Sequence, residues 1–322
     1  MQKVAGDNLR RILGILTGTP LAGVLTGIAV TVMVQSSSTT TVMLVGFVNA
    51  GLMSLSQAFS AIMGANIGTT VTAQIVSFNF GLLIFPSIGI GGLLNFFGRR
   101  RLYRYLGQTI LGLGLLFLGM QIMSEAMFPL RDNAVFLNLL VKFGKKPLLG
   151  ILFAALFTAL IQSSSAMTGI VVALTLQNLL NLESALPLIL GTNVGTCITA
   201  VLASLGTSLS ARRAAFSHVI FNILGVVLAL VLFKPFTTLV LLTSSSVVRQ
   251  VANAHTLFNV VGSIVFMFLL RPFIWLVNSL AGVLGHRIVA DANTGIIGMM
   301  TPVANSMRES IAISHTLFNV VN

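Results

Sequence analysis

Charge is what this chain has least of. Charged residues make up 7% of its 322 positions, only six are acidic, and none, nor any histidine, lies between Ile12 and Gly98. A soluble domain carries roughly a quarter charged residues. So long a stretch without an ionisable group excludes a general base or metal cluster within it. Cys197 is the one cysteine, which excludes an intrachain disulfide and a thiolate metal centre. No cleavable signal pattern is expected at the N-terminus, where Met1 to Arg11 is polar and an apolar run simply follows.

What fills the space is apolar. Hydrophobic residues reach 56% and mean hydropathy is +1.00. The runs are too long and continuous for a membrane β-barrel, so the expected class is an all-α integral membrane protein of the multi-pass type. The net charge of +12 sits in short clusters between apolar runs: Arg10-Arg11, Arg99 to Arg104, Lys142 to Lys146 and Arg212-Arg213. That is the footprint of loops at an anionic membrane face; contact with lipid is expected, and contact with nucleic acid is not.

Two polar islands interrupt this background, and each occurs twice. Gln35-Ser36-Ser37-Ser38-Thr39-Thr40-Thr41 is echoed by Gln162-Ser163-Ser164-Ser165, and Gly64-Ala65-Asn66-Ile67-Gly68-Thr69-Thr70 by Gly191-Thr192-Asn193-Val194-Gly195-Thr196-Cys197. The offset is 127 residues for both islands, and for Pro20 and Pro147 as well. Between 35–73 and 162–200, 16 of 39 positions are identical, eight of them in the two motifs. This is an internal duplication.

The duplication divides the chain into a first repeat at about 12–104, a connector at 105–146, a second repeat at about 147–233 and C-terminal helices at 234–322. Thr17 to Pro20 splits the first apolar run, leaving a helix over Leu21–Val34. That is ~20 Å long, short of the ~30 Å hydrocarbon core. A short helix on either side of each Gln-Ser-Ser-Ser tip predicts two re-entrant hairpins. The Gly-x-Asn-x-Gly-Thr segments predict breaks within two spanning helices, at 64–70 and 191–197. Three His-x-x-x-Asn pairs follow, His218/Asn222, His255/Asn259 and His315/Asn319, each on one helical face and read first as interhelical hydrogen bonds. Because the chain stops as its third such helix begins, a truncated C-terminus is expected. Glu125, Asp132, Glu183 and Asp291 read as loop or interface charges, and Arg249, Arg271 and Arg308 as snorkelling side chains.

A Ser-Ser-Ser run opening a helix caps it and leaves hydroxyl and N–H donors free at the positive end of the dipole, a setting for an anion. Unwound carbonyls beside Thr and Asn oxygens suit a hard monovalent cation. An uncharged cage in a membrane holds a multiply charged anion only at heavy desolvation cost, which bound cations offset.

At these residues the chain resembles the type II sodium–phosphate cotransporter family, marked by paired Gln-Ser-Ser-Ser motifs each followed by Gly-x-Asn-x-Gly-Thr. The resemblance runs from about Pro20 to Ser204, with Ala254 to Asn259 similar to bacterial members. It implies an inverted-repeat transporter and Na⁺-coupled symport of inorganic phosphate by alternating access, in the cytoplasmic membrane. It places phosphate at Ser36, Ser37, Ser38, Thr39, Ser163, Ser164 and Ser165, with Asn66 and Asn193. Sodium falls at Gln162, Ser163, Thr196 and Thr199, and in a pseudo-symmetric site at Gln35, Ser36, Thr69 and Thr72. Na⁺ is the coupling ion, no further cofactor is implied, and a homodimer is compatible with this reading. Two departures stand out: Ala166-Met167 replaces Thr39-Thr40 after the second tip, and Cys197 replaces Thr70. The rivals are another oxyanion or phosphate export, a phosphate sensor, and a phosphoryl-handling membrane enzyme, the last lacking any ionisable residue near its first serine tip.

Overall fold

The computed structural model describes residues 2–78 and 81–291, and its regular elements there are all helical. In chain order these are α1 (Gln2–Leu16), α2 (Pro20–Val34), α3 (Ser37–Asn49), α4 (Leu55–Val76), α5 (Ile84–Phe97), α6 (Arg101–Ala126) and α7 (Ala134–Lys145). Then follow α8 (Pro147–Ile161), α9 (Ser164–Leu176), α10 (Leu182–Ser204), α11 (Leu209–Val231), α12 (Phe233–Leu241), α13 (Val247–Phe268) and α14 (Leu270–Asp291). Four of them, α6, α10, α11 and α13, are long and apolar enough to cross a membrane, and two bent pairs raise the number to as many as six.

Local chemistry sets the boundaries. Pro20 and Pro147 occupy the first turns of α2 and α8, where a missing N–H costs nothing. Thr19 caps α2 by accepting from the Ala22 amide at 3.2 Å. Ser54 and Gln57 form a reciprocal capping box at the start of α4. Both α2 and α8 span 15 residues, or ~22 Å at the helical rise, and end at a Gln-Ser connector.

Each short helix lies directly on a long one. Gly23 and Gly27 of α2 meet Ser60 and Ala61 of α4, while Gly64 and Gly68 of α4 meet Val24, Ile28 and Thr31 of α2. A methyl group on Gly27 would strike the Ala61 carbonyl, and one on Gly64 the Val24 carbonyl. The second repeat packs α8 on α10 in the same way, with Gly191 against Ile151 and Gly195 against Ala155. Small residues at such faces let backbones approach closely inside a membrane.

This contact corrects one expectation. The breaks predicted at 64–70 and 191–197 do not occur: α4 and α10 run through both islands as uninterrupted helix. The glycines serve helix-on-helix approach rather than unwinding. The hydroxyls turn back on their own helices, Thr69 to the Ala65 carbonyl (3.1 Å), Thr70 to Ile67 (2.7 Å), Thr192 to Ile189 (2.7 Å) and Thr196 to Thr192 (2.8 Å). Such bonds are a common resting place for Thr in a membrane helix.

The halves interlock. From the first repeat, α3 packs on α10 and α11; from the second, α9 packs on α4 and α13. Leu44, Val45 and Val48 of α3 join Ala200 of α10 and Ala211, Ala214 and Ala215 of α11 in one apolar cluster. Met167, Val171 and Val172 of α9 join Val76 of α4 and Val248 and Val251 of α13 in another. Outside this core α5 and α6 pack on each other and expose Phe85, Phe96, Phe97 and Leu102, a surface suited to acyl chains. His315, Asn319 and Arg308 lie outside the described residues.

The glycine contacts predict that Gly64→Ala and Gly191→Ala each lower stability by about 1–3 kcal/mol or more, the range for an overpacked site. Gly46 on α3 has open space where a Cβ would stand, so Gly46→Ala is neutral to stabilising by up to about 1 kcal/mol. Thermal unfolding in detergent, followed by size-exclusion fluorescence, distinguishes the two classes.

Candidate functional site

Each tip is built the same way. Gln35 takes a left-handed conformation (φ 57°, ψ 26°) and so does Gln162 (φ 53°, ψ 27°), each donating its backbone N–H to a threonine carbonyl four residues back, at 2.7 Å. The next serine is extended and caps the following helix. Ser36 accepts from the Thr39 amide at 3.1 Å, and Ser163 from the Ala166 amide at 3.2 Å. A non-glycine residue held at positive φ in both copies is a strained backbone choice that the surroundings must maintain.

The turn leaves the next serines uncommitted. Among the described residues, the hydroxyls of Ser37, Ser38, Ser164 and Ser165 make no hydrogen bond, and their oxygens still reach the surface although Ser37 (4% exposed) and Ser164 (8%) are mostly covered. They stand in the first turns of α3 and α9, where helix amides also lack intrahelical acceptors and the dipole is positive. An anion meeting donors of this kind gains ~0.3–1 kcal/mol per helix end when exposed and up to ~2 when partly buried. Thr39 is exposed and donates to Ser36 at 2.9 Å.

The halves then diverge. Thr72 donates its hydroxyl to the Gln35 side-chain oxygen at 2.7 Å, bringing two predicted sodium ligands together. No such bond joins Gln162 to Thr199, whose hydroxyl donates to the Thr196 carbonyl at 3.0 Å. Thr69 and Thr196 likewise bond within their own helices. Nor does any hydrogen bond join the two serine tips among the described residues. Asn66 is engaged away from its tip: its amide donates to the Asn222 side chain at 3.0 Å, and its oxygen pairs with His218 Nε2 at 3.0 Å. Asn193 donates to the Ile189 carbonyl at 3.1 Å.

Three further hydroxyls emerge that the sequence reading did not place in the site. Thr41, Thr158 and Thr168 are buried with no hydrogen-bond partner. Thr41 and Thr168 are equivalents in the two repeats and stand one turn beyond Ser37 and Ser164, on the same helix faces. Their identity at the 127-residue offset was the available signal. Thr158 is orphaned for a local reason. Its equivalent, Thr31, bonds Thr40 at 3.0 Å, and the position matching Thr40 is Met167. A polar cleft of about 300 Å³ lies at the other end of α2, lined by Thr17, Thr19, Ser54 and Gln57. No three His, Cys, Asp or Glu side chains gather as a metal centre among the described residues.

Repeated helix tips with free donors, carried by a bundle whose long helices are apolar enough to cross a membrane, make up this domain. The chain belongs to the Na⁺/Pi-cotransporter family, whose model matches residues 1–125 and 132–268. It is 34% identical to the Bacillus subtilis protein YqeW over 235 residues, 73% of this chain and 75% of that protein. It is 29% identical over 226 residues to YjbB of Escherichia coli K12, named for inorganic phosphate export; the match covers 70% of this chain and 41% of YjbB. A 75-residue segment is 49% identical to the sodium-dependent phosphate transport protein 2A of Rattus norvegicus, covering 23% of this chain and 12% of that protein. No solved structure matches.

The orphaned hydroxyls predict that Thr41→Val and Thr168→Val, which keep shape and remove the unpaired donor, raise the melting temperature of the ligand-free protein by the equivalent of about 1–3 kcal/mol. A fall in stability of the same size would show that these hydroxyls already have partners.

Proposed function

We propose that this chain is a Na⁺-coupled inorganic phosphate transporter of the cytoplasmic membrane, a symporter working by alternating access. Membership of the Na⁺/Pi-cotransporter family supplies the substrate class. The observation that carries the reading further is the pair of repeat-related tips, each presenting two serine hydroxyls without partners at the start of a helix. In this reading α2–α3 and α8–α9 are re-entrant hairpins, and phosphate is held by Ser36, Ser37, Ser38, Ser163, Ser164 and Ser165. Donors that are neutral and already oriented take up a tetrahedral oxyanion without a competing fixed charge.

Sodium completes the balance of charge. Gln35, Ser36, Thr69 and Thr72 form one oxygen-rich set, and Gln162, Ser163, Thr196 and Thr199 its counterpart. The Gln35–Thr72 hydrogen bond already joins two members of the first set. Binding Na⁺ there exchanges that bond for metal–oxygen contacts, which couples ion binding to the tip geometry. Outward movement is a second reading, favoured by the name of YjbB; direction follows from which gradient drives the cycle.

Purified protein in proteoliposomes is expected to take up labelled phosphate faster with an inward Na⁺ gradient than without one. Ser37→Ala and Ser164→Ala each weaken phosphate binding about 10–100-fold, the worth of one hydrogen bond to a charged group, with the fold intact. Gln162→Ala chiefly raises the Na⁺ concentration needed for half-maximal flux. Phosphate flux indifferent to Na⁺ would sink the coupling.

A further inference from the structure

α11 and α13 carry the same motif at a spacing of 37 residues: His218, Phe221, Asn222 and Gly225 on α11, and His255, Phe258, Asn259 and Gly262 on α13. They meet reciprocally. A methyl at Gly225 would lie 3.1 Å from the Phe258 ring, and one at Gly262 would lie 3.8 Å from the Phe221 ring. Contacts in which each partner presents the same patch to the other mark a local two-fold relation. Their surroundings obey it too. α11 packs on α3, α4 and α10, and α13 packs on α9, α10 and α4, which is the same set with the repeats exchanged.

The two faces differ in their hydrogen bonds. On α11 the polar residues are clasped to their neighbours, with His218 Nδ1 left unpartnered. Asn66 of α4 pairs with His218 and Asn222, and Asn222 also reaches the Cys197 sulfur of α10 at 3.3 Å. On α13 the equivalents are buried at 1% exposure each, yet His255 Nδ1, His255 Nε2 and Asn259 Oδ1 have no partner. The two-fold partner of Asn66 is Asn193 of α10, and its amide is turned onto its own helix at the Ile189 carbonyl. One clasp is shut and the other stands open, although the residues of both are present.

We propose that His255, Asn259 and Asn193 form a second clasp, and that the two clasps shut in alternation as the protein changes state. Asn193 supplies what α13 lacks. Its carboxamide has both a donor and an acceptor, and in the first clasp the same group satisfies an imidazole nitrogen and a carboxamide oxygen together. Opening of either cluster leaves buried polar atoms unmatched, so the state with both open is disfavoured. The two-fold relation makes the two shut forms near equivalents, which is what a two-state element between repeats requires. His255 and Asn259 are then positioning residues, holding α10 and its polar island rather than touching the solute. The inference rests on the transport reading for its purpose, but its geometry is tested without flux.

The experiment uses cysteine pairs in the full chain carrying Cys197→Thr, the residue of the matching position 70. One protein carries Asn66→Cys with His218→Cys, the other Asn193→Cys with His255→Cys, both in proteoliposomes treated with a mercury cross-linker. As Na⁺ and phosphate are varied, cross-linking of one pair should rise several-fold where the other falls. Both pairs cross-linking fully under one condition, or the second pair never reacting while the first does, would overturn the proposal. Should either double variant fail to fold, His255→Leu decides: it is expected to slow phosphate exchange about tenfold, the weight of one buried hydrogen bond, while phosphate binding persists. Unchanged exchange in that variant would leave His255 a packing residue and end the idea. Loss of Na⁺ dependence with the reciprocal cross-linking intact would instead count against the coupling reading alone.

Discussion

Backbone lying against backbone, with no side chain between, is the constraint on which this molecule depends. Inside a membrane the hydrophobic effect does not press helices together, so close packing and satisfied polar groups must do so. Gly27 and Gly64, and in the second repeat Gly191, allow that approach. It fixes a short helix onto a long one at a defined height, and the height determines where each Gln-Ser-Ser-Ser tip stands. The short helices, at 15 residues each, end before a bilayer would. In the proposed re-entrant reading the long helices hold these tips at depth, where irregular backbone must be enclosed by protein.

From that placement the tip chemistry follows. A left-handed glutamine reverses the chain, one serine spends its oxygen on a cap, and the next two serines retain free hydroxyls. Interlocking of the repeats gives both tips the same kind of setting, since α3 leans on the second repeat and α9 on the first. Donors without partners in a neutral interior are unfavourable by themselves. Strained and unpartnered groups recur at equivalent positions in the two repeats, and the proposed oxyanion with its counter-ions would give them partners.

Much of this is legible in the sequence. Pro20, Pro147 and the two serine tips mark helix boundaries to within a residue or two, because prolines and capping hydroxyls act locally. The polar islands at 64–70 and 191–197 were misread as breaks. Glycine in a helix permits either unwinding or close approach, and the deciding fact is the neighbouring backbone, which the linear sequence does not reveal. The pairing of Asn66 with His218 across 152 residues was hidden for the same reason. Each residue was conspicuous alone, but nothing local linked them. Thr41 and Thr168 were left out of the candidate site because threonine inside a membrane helix ordinarily bonds its preceding turn, and only the fold shows that these two do not.

The asymmetry between the repeats carries the deeper lesson. Had the two halves been equivalent in every side chain, a single conformation could satisfy both at once. Here Met167 stands where Thr40 would serve, and Cys197 where Thr70 would. In the described state Gln35 is held by Thr72 while Gln162 is free, and Asn66 is clasped while Asn193 is turned inward. In the proposed cycle these differences mark one half as shut and the other as open. Each half in that cycle has its own set of partners, and the two shut forms are the states between which the protein moves. Movement of a solute from one face to the other needs little more than ligands that bind those states unequally.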